Sequence, residues 1–370
     1  MHWLQQLTNG LALGSIYALI ALGYTMVYGV LRFINFAHSD VLMLGAYAAY
    51  FLAPIVSGSI GSNPTAIVSA YTNLWILLTF LISVLTIRSI RREWGIGVAV
   101  FGGVLVGVCF GLVCLFVVPL ALGYFFGNES RMVLAALVVC FWAAAICAVI
   151  GILIELLAYR PLRNRPKLTV LITAIGVSLF IEFTCQHSAV FGADTKSFPK
   201  LLPTRELHFA GIEMASNDLL VLVLTAVLLG AMWFLVQRTK MGMALRAVSF
   251  NQQAAALMGV NVNRVISFTF GLGSALAAIA GIFYAMRAPG IEPLMGVQPG
   301  IRAFIAAVLG GIGNLPGAAL GGLLLGVLET VAGGIPGVSN YRDGIAFAIL
   351  ILILLFRPAG LLGRATIEKV

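Results

Sequence analysis

Asn35, His38 and Asp40 stand between two apolar runs, with Arg32 just ahead of them. An imidazole two positions from a carboxyl is the pairing of a proton relay or of general acid–base chemistry. Catalysis would also need a nucleophile or a metal set, and His2, His187 and His208 fall in unrelated stretches. The blander role for His38 and Asp40 is a helix cap and packing contact. Polar groups among apolar runs are costly unless a cavity, water or a partner satisfies them, so they mark a transport path. Three further acids, Glu155, Glu182 and Glu329, lie in or at the ends of apolar runs. Glu155 and Glu182 are expected to pair with neighbouring helices or to lie near an interface. Glu329 follows the interruption Gly310-Gly-Ile-Gly-Asn-Leu-Pro-Gly317 and is the better candidate to face a cavity. The candidate pathway set is therefore Asn35, His38, Asp40, Gly311, Gly313, Asn314 and Glu329. Gly311-Ile-Gly313 is not a nucleotide loop, because no strand precedes it and no Gly-Lys-Ser/Thr follows. No Walker A sequence occurs in the chain, so it is not expected to hydrolyse ATP, to be an enzyme or to bind a cofactor. None of the five cysteines has a histidine or second cysteine at zinc spacing, and no metal is expected.

The elements that carry these residues follow from composition. The 370-residue chain is 61% hydrophobic and 9% charged, with a mean hydropathy of +1.05. Soluble domains are about one-quarter charged. Runs at 98–122, 132–157, 219–236, 265–286 and 345–356 approach or exceed the roughly 20 apolar residues that span a bilayer. The alternation of a β-barrel is missing. The fold class is all-α: a polytopic membrane protein of about ten transmembrane helices, including broken or re-entrant segments. The net charge of +9 does not point to nucleic acid. The clusters Arg88/Arg91/Arg92, Arg160/Arg163/Arg165/Lys167, Arg238/Lys240/Arg246/Arg264 and Arg357/Arg364/Lys369, with Arg32, hold 15 of the 22 Lys and Arg residues. The other seven, Arg287 and Arg302 among them, are balanced by seven acids on the opposite side. By the positive-inside rule the N-terminus lies outside and the C-terminus inside.

Helices are expected at about 9–30, 41–57, 74–90, 96–119, 132–157, 168–190, 218–236 and 265–286, with a last span ending near Arg357. Residues 191–217 read as a polar external loop, and 300–334 as two short arms meeting at the glycine-rich turn. The breaks near 31–40 and 310–317 would form a pair related by an internal inverted repeat. Gly10/Gly14, Gly273/Ala277/Gly281 and Gly317/Gly321 supply small faces for close helix packing. Residues 237–264 form a basic cytoplasmic segment in which 246–258 is helix-compatible and Gly259 is the terminator.

That segment carries a resemblance. Gln253-Ala254-Ala255 followed by Gly259 is similar in spacing to the Glu-Ala-Ala-x-x-x-Gly loop of ABC importer permeases, with Gln in place of Glu. Residues 9–29, Ile34-Asn-Phe-Ala-His38, Tyr159-Arg-Pro-Leu-Arg163, Leu171-Ile-Thr-Ala-Ile-Gly176, the 307–318 run and Gly360-Leu-Leu-Gly-Arg364 resemble LivH-type permeases of the bacterial branched-chain amino-acid ABC transporters. The resemblance implies an inner-membrane, multi-pass permease translocating leucine, isoleucine and valine. It implies a LivM-like second permease, two cytoplasmic ABC ATPases that hold ATP-Mg, and a periplasmic substrate-binding protein. Arg246, Asn251, Gln253, Ala254, Ala255 and Gly259 become the ATPase-coupling residues. Urea or a short-chain amide is the alternative substrate within the family; a channel or secondary transporter is the rival outside it. Ser39-Asp40 replaces the family's usual Gly-Glu. The single permease domain, 1–370, is longer than usual by about two helices, assigned to roughly 65–125 as an insertion.

Overall fold

The computed structural model describes residues 2–57, 128–163, 165–202, 206–209, 212–335, 337, 341–357 and 360–363. The expected inserted pair at 65–125 lies outside the described residues. Those described form helices α1 (His2–Leu31), α2 (His38–Ser57), α3 (Asn128–Ile154), α4 (Lys167–Gln186), α5 (Ser216–Arg238), α6 (Lys240–Phe250), α7 (Gln252–Leu257), α8 (Val262–Arg287), α9 (Val297–Gly310), α10 (Leu315–Gly333) and α11 (Arg342–Phe356). Among the described residues, α1, α3, α4, α5, α8 and α10 contain stretches long and apolar enough to cross a membrane. The protein is a polytopic all-α membrane protein.

Helix α1 is apolar on all sides, and such a helix is stable in a bundle only at its centre. It packs against α10, α8, α9 and α5. Ile16, Tyr17, Leu19, Ile20 and Leu22 are fully buried. Lipid supplies no hydrophobic drive between helices, so close van der Waals contact must hold them. Gly10 and Gly14 lie on the backbone of α10 at Val327 and Leu323, while Gly322 and Gly326 lie on Ala18 and Gly14 of α1. A side chain at any of the four would meet backbone. The outer helices are the reverse of a soluble protein's: Leu168, Ile172, Phe180 and Phe183 of α4 and Ile351, Leu355 and Phe356 of α11 are exposed.

Three features depart from the sequence expectations. The 191–217 region is not all loop: β2 (Glu206–Phe209) and β3 (Ile212–Ala215) form an antiparallel hairpin, and β1 (Lys196–Ser197) pairs with β4 (Gly290–Ile291). Beside β1, Lys196 Nζ lies 5.7–6.0 Å from the ring centroids of Tyr47, Tyr50 and Phe51. Burial pulls its ammonium below the usual lysine value, against the opposing pull of Asp194. The helix expected over 246–258 is two helices, because Asn251 takes an extended backbone (φ −153°) and turns its side chain into a cap. Arg302, counted among the charges of the outer side, sits inside α9.

Candidate translocation path and coupling segment

Where α1 ends, Arg32 adopts a left-handed φ of 55°, which turns the chain sharply. The chain then runs back along α1, and α2 opens at His38. The His38 ring meets the Ile20 carbonyl and rests on Gly23, eight residues or about 12 Å up α1. Any Cβ at position 23 would occupy the place of that imidazole. Tyr24 packs edge-on against it at 4.7 Å. His38 is fully buried, and its Nε2 has no hydrogen-bond partner.

Asn35 and Asp40 are gripped by other helices. The Tyr159 hydroxyl donates to Asn35 Oδ1 at 2.5 Å, and the Ser178 hydroxyl of α4 donates to Asp40 Oδ2 at 2.5 Å. The Glu182 carboxyl, one turn further along α4, also reaches Asp40. Asp40 lies in the first turn of α2, where the helix dipole favours an anion. Tyr159 is brought inward by a π-helical turn, Glu155–Tyr159, which rotates the end of α3 relative to a regular helix. That turn is anchored by Glu155, which is fully buried. It pairs with Arg163 and accepts from Ser267 Oγ of α8 at 2.6 Å. Burial lowers the Arg163 guanidinium from its usual value, and Glu155 opposes this. These contacts tie the polar cluster to α4 and to the turn that ends α3.

The other pathway candidates do not join it. Gly311 (φ 104°) and Gly313 (φ 96°) hold a turn that only glycine takes without strain. Asn314 Nδ2 donates to the Leu362 carbonyl at 2.7 Å, while Leu361 and Leu362 N–H groups donate to Leu309 and Gly310. The turn is thus covered by the chain's own tail. The part of α9 that meets the start of α2 is its opening, where Gly296 and Gly300 lie on Ser39.

Glu329 lies fifteen residues beyond Asn314, roughly 20 Å along α10. Its Oε2 accepts from the Tyr17 hydroxyl at 2.9 Å, and its Oε1 lies 2.9 Å from Arg302 Nη1. Arg302 also donates to Tyr17 Oη at 3.1 Å. Beside this triad is a cavity of about 390 Å³ at the N-terminal end of α1, lined by Gln5, Asn9, Leu13, Arg287, Glu329 and Thr330 among others. Tyr159, Ser178, Tyr17, Arg302 and Arg287 were not singled out from sequence. Arg302 gave a usable signal: an arginine in an apolar helix requires a buried acid, and Glu329 is one.

The coupling residues gather at the opposite end of α1. Arg246 of α6 donates to the Val236 carbonyl. Asn251 Oδ1 caps α7, accepting from the Gln253 and Ala254 N–H groups at 2.9 and 3.0 Å. Gly259 (φ 84°) closes α7, with the Val260 N–H returning to the Ala255 carbonyl. Ala255 is buried, Gln253 and Ala254 are exposed. Ser249 Oγ donates to the Gly29 carbonyl at 2.5 Å and Gln252 Nε2 to that of Val30 at 2.9 Å, tying α6 and α7 to the last turn of α1. Phe250, Leu257 and Met258 are 87%, 88% and 84% exposed.

Comparison with known proteins agrees with this architecture. The profile of the family described as "Branched-chain amino acid transport system / permease component" matches residues 6–354. The high-affinity branched-chain amino acid transport system permease protein BraD of Pseudomonas aeruginosa is 37% identical over 375 aligned positions, covering 100% of this chain and 98% of BraD. The LivH permease protein of the corresponding system in Escherichia coli K12 is 32% identical with the same coverage. The ribose import permease protein RbsC of E. coli K12 is 33% identical over 129 positions, or 33% of this chain and 40% of RbsC. No solved structure matches significantly. Matched over nearly its whole length, the chain belongs to the family of branched-chain amino acid transport system permeases.

Proposed function

We propose that this chain is one membrane-spanning half of a binding-protein-dependent ABC importer that carries leucine, isoleucine and valine inward. The full-length similarity to BraD and LivH carries this reading. The chain would sit in the inner membrane beside a LivM-like second permease. Two cytoplasmic ATPases would bind and hydrolyse ATP-Mg, and a periplasmic receptor would deliver substrate. The charge distribution favours an external N-terminus, which places the Gln5 end of α1 outside and the Gly29 end inside.

In this reading α7 is the contact for an ATPase. Leu257 at its end, with Phe250 and Met258 on either side of the helix, offers exposed apolar anchors, and Asn251 and Gly259 fix its two ends. Motion of an ATPase would pass through Ser249 and Gln252 to Gly29 and Val30. The 30-residue α1 then acts as a rod about 45 Å long, carrying that motion to the cavity at its other end. Such a rod needs no cofactor of its own.

The test is uptake into proteoliposomes holding this chain and the four partners. Labelled leucine or valine should accumulate only with both ATP and receptor present. Selective accumulation of urea would move the protein to the other substrate branch. Uptake indifferent to ATP and receptor would replace the importer with a channel or secondary transporter.

A further inference from the structure

The cavity at the N-terminal end of α1 has a charge pattern that goes beyond a passage. Arg287 and Glu329 both line it, with the amides of Gln5 and Asn9, the Thr330 hydroxyl and a single hydrocarbon side chain, Leu13. Glu329 is paired with Arg302, and Arg287 with Asp218 at 2.9 Å, so the four charges sum to zero. A carboxylate has about four acceptor positions; Glu329 Oε2 accepts from Tyr17 and Oε1 faces Arg302. A guanidinium has five N–H donors; Arg287 engages one with Asp218 and one, at a long 3.4 Å, with the Asn9 carbonyl. At about 390 Å³ the space lies near the low end of small-molecule pockets, roughly 300–1,000 Å³.

We infer that this cavity is a recognition site for the charged head of a free α-amino acid, Arg287 binding the carboxylate and Glu329 the ammonium. The inference rests on the importer reading above and assigns a site within it. A neutral pair of opposed charges suits a zwitterion better than any of its relatives. An oxo acid leaves Glu329 facing a keto oxygen that cannot donate, and an amino amide leaves Arg287 facing a neutral carboxamide. Either leaves one desolvated charge of the site without its counter-charge, which is disfavoured. Urea gains only dipolar contacts. Leu13 is the one aliphatic hydrocarbon side chain of the lining, so the site reads the head group more than the side chain. Selection of branched side chains then falls to other parts of the system.

The test is equilibrium binding of labelled leucine to the purified complex of permeases and ATPases, without receptor or nucleotide. Unlabelled leucine and alanine should compete within a few-fold of each other. Leucinamide, 4-methyl-2-oxopentanoate and urea should each be weaker by about tenfold or more, the effect of losing one charged hydrogen-bond partner. Arg287→Gln should weaken leucine by a similar factor while narrowing its advantage over leucinamide. Asp218→Asn removes the partner of Arg287 but keeps the guanidinium, and should still bind leucine. Equal competition by the amide and the oxo acid, unchanged affinity in Arg287→Gln, or no detectable leucine binding to the intact complex would each overturn the site. Receptor- and ATP-driven leucine uptake by the same preparation would in those cases leave the importer standing; its loss in the wild type would remove the importer instead.

Discussion

The two ends of α1 hold polar groups in opposite ways. Around His38 and Asp40 a tyrosine hydroxyl meets Asn35 and a serine hydroxyl meets Asp40, and the imidazole fills the space that glycine leaves. Around Glu329 the charges are paired and largely buried, but a cavity adjoins them. The first arrangement fixes a fold; the second can receive a solute. Residue type does not distinguish them, since both centre on a carboxylate in an apolar helix. What distinguishes them is whether a cavity adjoins the carboxylate.

The sharpest way to break that contrast is Glu329→Ala. It strips the carboxylate from Arg302 and Tyr17 and should destabilise the protein by about 3–5 kcal/mol, as breaking a buried ion pair does. Thermal unfolding of the purified complex reads this, and an unchanged midpoint would show that the triad is not a structural centre. Gly23→Ala comes next. Its methyl must displace the His38 ring, an overpacking that costs about 1–3 kcal/mol. The same substitution at Gly230, which has open space around it, should be silent in the same unfolding assay. Tyr159→Phe leaves Asn35 Oδ1 without its donor and should cost about 1–2 kcal/mol. If water reached Asn35, it would replace the phenol and the loss would vanish. Asn251→Ala is the mildest, about 1 kcal/mol of helix capping. It should lower receptor-stimulated ATPase activity more than it lowers thermal stability, because α7 gives only Ala255 to the core. Equal losses in both would place α7 in the fold rather than in coupling.

Much of the architecture was legible from the chain. Apolar runs of bilayer length marked α3, α5 and α8, and the four-residue spacing of Gly10 and Gly14 marked the packing face of α1 without its partner, while Gly317 and Gly321 meet α9. The pairing of 206–209 with 212–215 was hidden because two four-residue strands carry too short an alternation to be read. The π turn at 155–159 has no composition of its own; it exists because Glu155 is held by Arg163 and Ser267 from elsewhere. Asn251 was readable as a helix start, since Asn before an apolar periodic stretch is a capping signal, yet the surrounding helix formers masked it. Glu329 stood out as a charge in an apolar run. Arg287 did not, because its place opposite Glu329 is created only when the ends of α1, α8 and α10 converge.

The turn between α9 and α10 is closed by hydrogen bonds from Leu361 and Leu362 and by the contact of Asn314 with Leu362. A chain is made from its N-terminus onward. Leu361 and Leu362 follow every helix they secure, so the turn between α9 and α10 is fastened only once the segment beyond α11 has been made. A protein cut short just after α11 would keep all its described helices and still lack that fastening.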